Sequence, residues 1–284
     1  MEIKKIGVIG AGTMGNGIAQ VFAACGFEVK LLDVSDAALQ RGMHAISDSL
    51  ERLIKKERIS AADKTATLKR IAVTTDVQQF AAVDVAVEAA SENLELKLKL
   101  LSDLDRVCKK NAILASNTSS ISLTKIAAAT ARPQQVIGMH FMNPVPLMQL
   151  VEIIRALQTS DAVYQAIETL TRKIGKTPVA VKNSPGFVSN RILMPLINEA
   201  VYTLYEGLAG AEDIDTVMKL GMNHPIGPLA LADLIGLDTC LAVMEVLYDG
   251  FNDSKYRPCP LLKEMVDAGR LGRKSGRGFH DYTK

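Results

Sequence analysis

The amino-acid sequence predicts an α/β domain on a mostly parallel sheet, followed by a smaller domain made of helices alone. Three observations carry this reading. The first 33 residues run strand, glycine-rich turn, helix, strand, the unit that demands parallel pairing. Apolar strands and helical stretches go on alternating to about residue 181. After Pro185 the apolar positions recur at helical spacing, with no strand pattern. The change of character at residues 183–186 gives domains 1–184 and 185–284.

The elements follow in order. Residues 3–9 are a short apolar run that stops at Gly10, and residues 16–25 read as a helix ended by Gly26. Residues 28–32 are a second strand, closed by Asp33. A long polar helix runs from residue 36 to about 57, with Lys55, Lys56 and Arg58 near its end, and another starts after Ser60. Residues 71–74, 83–87 and 112–116 read as strands, with an amphipathic helix over 94–108. Residues 136–141 and 147–154 are two more strands, separated by the turn chemistry of Asn143-Pro144-Val145-Pro146. A crossover helix over 161–174 and a strand over 178–181 complete the sheet. Helices over 188–206, 212–220, 228–249 and 260–269 make up the second domain.

Composition excludes several function classes. The chain has 284 residues, 48% of them hydrophobic and 23% charged, enough apolar material for a large core. A formal net charge of +2 gives no field that would attract nucleic acid or a membrane surface. Cys25, Cys108, Cys240 and Cys259 form no CxxC pair and match no zinc spacing, so they read as inert or buried thiols in a reducing compartment. The N-terminus leads straight into a strand without a signal-peptide pattern, and no run of 18 apolar residues occurs. A cytoplasmic protein is expected.

Gly10-Ala11-Gly12-Thr13-Met14-Gly15 is a GxGxxG motif that follows a strand and opens a helix. Gly10 permits the tight turn, Gly12 lets the backbone approach a pyrophosphate, and Gly15 lets helix and strand pack closely. The helix N-terminus offers free N–H groups and a positive dipole end to the phosphates. Asp33, at the end of the next strand, would accept hydrogen bonds from the adenosine ribose and repel a 2′-phosphate; Val34 and Ser35 offer no cation. The expected cofactor is NAD on a Rossmann-type domain. FAD, which uses the same fingerprint, is the alternative.

Of the four histidines, His44, His140, His224 and His280, only His140 lies on an apolar strand beside a turn. A hairpin centred near Pro146 sets His140 opposite Glu152, the lone carboxylate of strand 147–154. An unpaired buried charge is costly, and an imidazole offsets that cost. Such a pair fixes the imidazole tautomer and leaves the second ring nitrogen as a base near neutral pH, suited to taking a hydroxyl proton while hydride leaves for NAD. A purely structural His–Glu bond has the same spacing. Ser116-Asn117-Thr118-Ser119-Ser120 follows the carboxyl end of a strand, where open parallel sheets bind ligands. Capping of the helix beginning at Leu123 is its other reading. Residues 183–191 lie at the domain boundary, another favoured place for a ligand.

Together these residues resemble the L-3-hydroxyacyl-CoA dehydrogenases, in particular the bacterial short-chain members. The resemblance spans the chain through GAGTMGNGIA (10–19), VEAASENLELK (87–97), ASNTSS (115–120), HFMNPVPLMQLVEII (140–154), SPGFVSNR (184–191) and GRKSGRGFHDY (272–282). It implies that His140 is the catalytic base and Glu152 its partner. It implies that Ser119 hydrogen-bonds the reacting oxygen and that Asn190 positions and polarises the substrate. It adds Glu92, Lys97, Asn143 and Lys274 to Asp33 and the glycine loop as NAD contacts, and Ser49 and Lys56 as CoA contacts. The cationic helix end at Lys55, Lys56 and Arg58 is compatible with CoA phosphates and equally with a solvated face. The implied reaction is reversible oxidation of 3-hydroxybutyryl-CoA to acetoacetyl-CoA.

Two rivals stand beside it. A 3-hydroxyacid dehydrogenase of another family would use a lysine as acid/base and would act on free 3-hydroxybutyrate. A catalytically silent NAD-binding protein would bind NADH and turn nothing over. The apolar helical domain, with residues 229–235 and 241–247 as examples, suggests a homodimer through those helices, as the resemblance also implies.

Overall fold

The computed structural model describes residues 2–283. Two compact units divide the chain, Met1–Asn183 and Ser184–Lys284.

The first unit alternates strands and helices: β1 (Lys5–Ile9), α1 (Thr13–Ala24), β2 (Glu28–Leu32), α2 (Asp36–Lys55), α3 (Ala61–Lys69), β3 (Ile71–Thr74), β4 (Val85–Glu88), α4 (Leu94–Val107), β5 (Ile113–Ser116), α5 (Leu123–Ala128), β6 (Val136–Phe141), β7 (Leu150–Arg155), α6 (Asp161–Lys173) and β8 (Thr177–Lys182). They form an eight-stranded sheet of order β3-β2-β1-β4-β5-β6-β7-β8. Every pairing is parallel except β6 with β7. The order reverses between β1 and β4, and a crevice beyond the carboxyl ends of strands at such a point is where doubly wound sheets bind ligands. The central strands are apolar on both faces because helices cover both, as in the fully buried β4 and β6.

Helix starts follow local chemistry. Ser35 caps α2, Ser60 and Asp63 make a reciprocal capping box on α3, Asn93 caps α4, and Ser160 caps α6. Helix α1 is the exception: Gly12 is its N-cap and contributes no side-chain hydrogen bond, so its first N–H groups stay available.

Several boundaries differ from the sequence expectation. The hairpin's second strand starts at Leu150 rather than 147, because Leu147 and Met148 both donate their N–H to Pro144 O at 3.0 Å in a local turn. Helix α1 starts three residues earlier than expected, directly after the glycine turn.

The second unit is helical throughout its named elements: α7 (Ser189–Tyr205), α8 (Ala211–Thr216), α9 (Pro228–Ile235), α10 (Leu237–Phe251) and α11 (Pro260–Asp267). The expected helix over 228–249 is two helices, broken at Gly236, whose φ of 104° no other residue adopts readily. The expected helix over 212–220 ends at Thr216 and continues as a π-helical turn, Val217–Gly221. Two buried aspartates organise this unit. Asp215 accepts from Leu229 N and Ala230 N, capping α9 from a distance. Asp233 accepts from Phe279 N, His280 N and the Tyr282 hydroxyl, fastening the C-terminal segment. No helix among the described residues is long and apolar enough to cross a membrane.

Candidate active site

The glycine loop is built by close approach. Gly10 has φ 95°, and a Cβ there would lie 2.6 Å from Ala89 O; one on Gly15 would lie 1.7 Å from Gly10 O. A Cβ on Gly12 would meet nothing within 4 Å, so open space adjoins the one glycine expected to face a pyrophosphate. Uncapped N–H groups of α1 beside that space fit a dinucleotide phosphate. Asp33 does more than sequence reasoning assigned it. Its Oδ2 accepts from Ala11 N at 2.7 Å and its Oδ1 from Val34 N at 2.7 Å, so the carboxylate also shapes the glycine loop. Each oxygen keeps a lone pair for a ribose hydroxyl.

Beyond the carboxyl ends of β4 and β5 lies a polar network. Lys97 on α4 is 1% exposed, and its ammonium reaches Glu88 Oε1 at 2.7 Å, Ala90 O at 3.1 Å and Glu92 Oε2 at 3.2 Å. An ammonium has three N–H donors, so Lys97 has none left for a ligand. It acts through Glu92. Glu88 also accepts from the Ser116 hydroxyl at 2.6 Å. Glu92 Oε1 gathers the hydroxyls of Thr118 and Ser120 and the N–H groups of Ser119, at 3.0 Å, and Ser120, at 3.1 Å. Burial alone would raise the Glu92 pKa, but Lys97 and the two hydroxyls hold it below the ordinary carboxylate range. The Ser119 hydroxyl takes no hydrogen bond among the described residues, while the loop around it is fixed. The capping reading of residues 116–120 is corrected: Ser122 caps α5 by accepting from Lys125 N.

Next to this loop stands the hairpin. Asn117 Oδ1 accepts the N–H of Phe141 at 2.9 Å, tying the serine loop to the residue after His140. His140 and Glu152 are register partners across β6 and β7, with Nδ1 2.8 Å from Oε2. Both side chains are buried. As directly opposed residues of an antiparallel pair, the two side chains lie on the same face of the sheet. A carboxylate beside Nδ1 favours the tautomer with its proton there, the arrangement in which the other ring nitrogen of an imidazole can serve as a base.

The remaining expected residues lie elsewhere. Ser49 is on α2 and Lys56 is its C-cap, two helical turns apart, with Lys55, Lys56 and Arg58 exposed. Asn143 opens the loop between β6 and β7. In the second unit, Asn190 lies in the first turn of α7, and Lys274 Nζ donates to Asp238 Oδ2 at 2.6 Å. All four cysteines are free; Cys25 is exposed and the other three are buried, with burial pushing the Cys108 thiol up to about 11 and Cys240 to about 12. Among the described residues no group of three or more His, Cys, Asp or Glu could hold a metal.

Comparison with known proteins covers both units. Residues 5–184 match the family model described as 3-hydroxyacyl-CoA dehydrogenase, NAD binding domain, and residues 186–282 match 3-hydroxyacyl-CoA dehydrogenase, C-terminal domain. The chain is similar to a probable 3-hydroxybutyryl-CoA dehydrogenase of Bacillus subtilis, 54% identical over 100% of this chain and 99% of that protein. It is similar to a protein of the same description from Deinococcus radiodurans, 57% identical over 98% of this chain and 100% of that one. Among solved structures it is similar to the (S)-3-hydroxybutyryl-CoA dehydrogenase PaaH1 from Ralstonia eutropha, with a TM-score of 0.96, 59% identity and full coverage of both chains.

Proposed function

The chain belongs to the 3-hydroxyacyl-CoA dehydrogenase family, and from that premise we propose that it interconverts 3-hydroxybutyryl-CoA and acetoacetyl-CoA with His140 as acid/base. It is an NAD-dependent oxidoreductase; the short-chain substrate and the residue roles are our reading. The observation that carries those roles is the His140–Glu152 pair, Nδ1 to Oε2 at 2.8 Å, beside the serine loop that Asn117 ties to Phe141 and Glu92 holds through Ser119 N.

The cofactor is held by the glycine loop Gly10–Gly15, by Asp33, and by Glu92, Asn143 and Lys274, with Lys97 setting Glu92. NAD, when bound, would supply the hydride acceptor for oxidation at C3 and, in its reduced form, the hydride donor for the reverse reaction. In oxidation His140 Nε2 takes the proton of the 3-hydroxyl; in reduction the imidazolium gives it back. Glu152 holds the ring and supports its positive charge while the proton is on it. Ser119 donates to the reacting oxygen, and Asn190 orients the thioester end. The loop that Glu92 fixes means that Ser119 need not be ordered at the moment of reaction. Ser49 and Lys56 take the CoA moiety. A second copy packs on the helical unit, and the working compartment is the cytoplasm, consistent with four unpaired thiols.

General acid–base catalysis contributes roughly 10²- to 10⁴-fold, so His140→Gln is expected to lower kcat for acetoacetyl-CoA reduction by about that factor while NADH affinity holds. NADH consumption and fluorescence titration measure the two quantities. Near-normal turnover in this variant removes His140 as the base. Turnover of free 3-hydroxybutyrate in preference to its CoA thioester removes the substrate assignment.

A further inference from the structure

One buried cation takes no part in the reaction as described. Lys176 lies just before β8, 7% exposed. Its Nζ donates to Val145 O at 2.7 Å and to Met148 O at 2.6 Å. Its own N–H closes the end of α6 on Thr171 O, and the next residue, Thr177, donates to Gln149 O at 2.7 Å. The lysine is thus held from both sides and its head is aimed at one loop. That loop, residues 142–149, joins β6, which carries His140, to β7, which carries Glu152, and contains Asn143.

Putting an ammonium there is costly: burial holds Lys176 below the ordinary lysine range. A methionine would fill the same stem volume without that penalty but would leave two inward-facing carbonyls without donors. The loop's other face rests on α1. Val145 is 2% exposed, and its Cβ lies 2.8 Å from where a Cβ on Gly17 would stand. The cofactor helix, Asn143 and both ends of the His140–Glu152 hairpin therefore converge on a loop pinned by one side chain.

We infer that Lys176 is a positioning residue for the reaction, tying down the loop that sets Asn143 against the cofactor and holds the His140–Glu152 hairpin in place. The inference rests on the reading of Asn143 as a cofactor contact, so the test runs Lys176→Met and Asn143→Ala side by side in the full chain. Each is measured for NADH affinity, kcat, KM for acetoacetyl-CoA and Tm, well below the lowest Tm. Lys176→Met is expected to weaken NADH binding about tenfold and lower kcat severalfold, with KM for acetoacetyl-CoA within about twofold. Asn143→Ala is expected to weaken NADH binding with kcat less affected. A Lys176→Met enzyme with lower Tm but wild-type NADH affinity and kcat overturns the positioning role and leaves Asn143 untouched. Wild-type NADH affinity in Asn143→Ala overturns the cofactor reading on which the inference stands. Should Lys176→Met not fold, Lys176→Gln, which keeps two N–H donors, carries the same criteria with a smaller expected shift.

Discussion

At the scale of single residues, Asp33 joins cofactor choice to loop shape. Both its oxygens already hold main-chain N–H groups, one of them in the glycine loop. On the proposed reading, a 2′-phosphate would be repelled by a carboxylate that cannot swing away without releasing Ala11 N. Asp33→Ser with Val34→Arg removes the repulsion and adds a cation at a position that is 92% exposed. Discrimination between NADH and NADPH, measured as the ratio of kcat/KM values, is expected to fall by at least about tenfold, with some loss of absolute rate because the loop loses an acceptor. An unchanged ratio would mean that Asp33 does not read the ribose. Glu92 gives a prediction on stability. Its folded pKa lies below the ordinary 4.5, so the native state binds fewer protons than the unfolded chain as that range is crossed. The stabilisation is complete above 4.5 and is lost as pH falls through the lower folded value. Glu92→Gln has no such carboxyl to protonate. Its Tm is expected to decline less than that of the parent between about pH 5 and 3, read by circular dichroism.

At the scale of elements, what was legible depended on whether a local signal existed. The strand–turn–helix of the fingerprint, the cap at Ser60 and the register that faces His140 with Glu152 follow from glycine placement, capping chemistry and the period of two in a strand. Other features lack a local signal. The start of β7 is set by Pro144 O and by Lys176, which lies more than twenty residues downstream of the loop it grips. Glu88 lies one residue beyond the strand expected over 83–87 and carries no local signal of its partners, Lys97 and Ser116, which only the fold brings to it. The break between α9 and α10 was within reach, since Gly236 interrupts an otherwise continuous pattern, but a lone glycine is tolerated in many helices. Its φ of 104° makes it testable. Gly236→Ala is expected to cost roughly 1–3 kcal/mol, measured by urea unfolding, whereas Ala for Gly inside a helix would stabilise. A stabilised variant would show that the two helices tolerate fusion.

At the scale of the whole molecule, the apolar stretches on which a homodimer was expected are largely core, Leu229, Ala232, Val243, Met244 and Leu247 among them, so a proposed second copy has to be argued from other residues of the helical unit. Val217, Leu220 and Met222 are all more than half exposed, and they cluster in and just after the π-helical turn. Leu208, in the connection before α8, is exposed as well. Scattered apolar side chains on a surface need no explanation, but four large ones on the segments flanking one short helix are a concentration that water disfavours. The α/β unit has its own filled core, and the helical unit has another built from α7, α9, α10 and α11. Repacking inside either unit therefore cannot absorb these residues. Pairing through a twofold axis would, because an isologous contact covers the same patch on both copies. Sedimentation velocity at micromolar concentration is expected to show a dimer. Leu220→Glu, at a position 83% exposed, introduces a carboxylate into the proposed contact on each copy, where burial would be costly, and little penalty in the separated chain. The expected result is a shift toward monomer, with circular dichroism unchanged. A parent protein that sediments as a monomer, or a Leu220→Glu dimer as tight as the parent, would place the interface elsewhere or remove it.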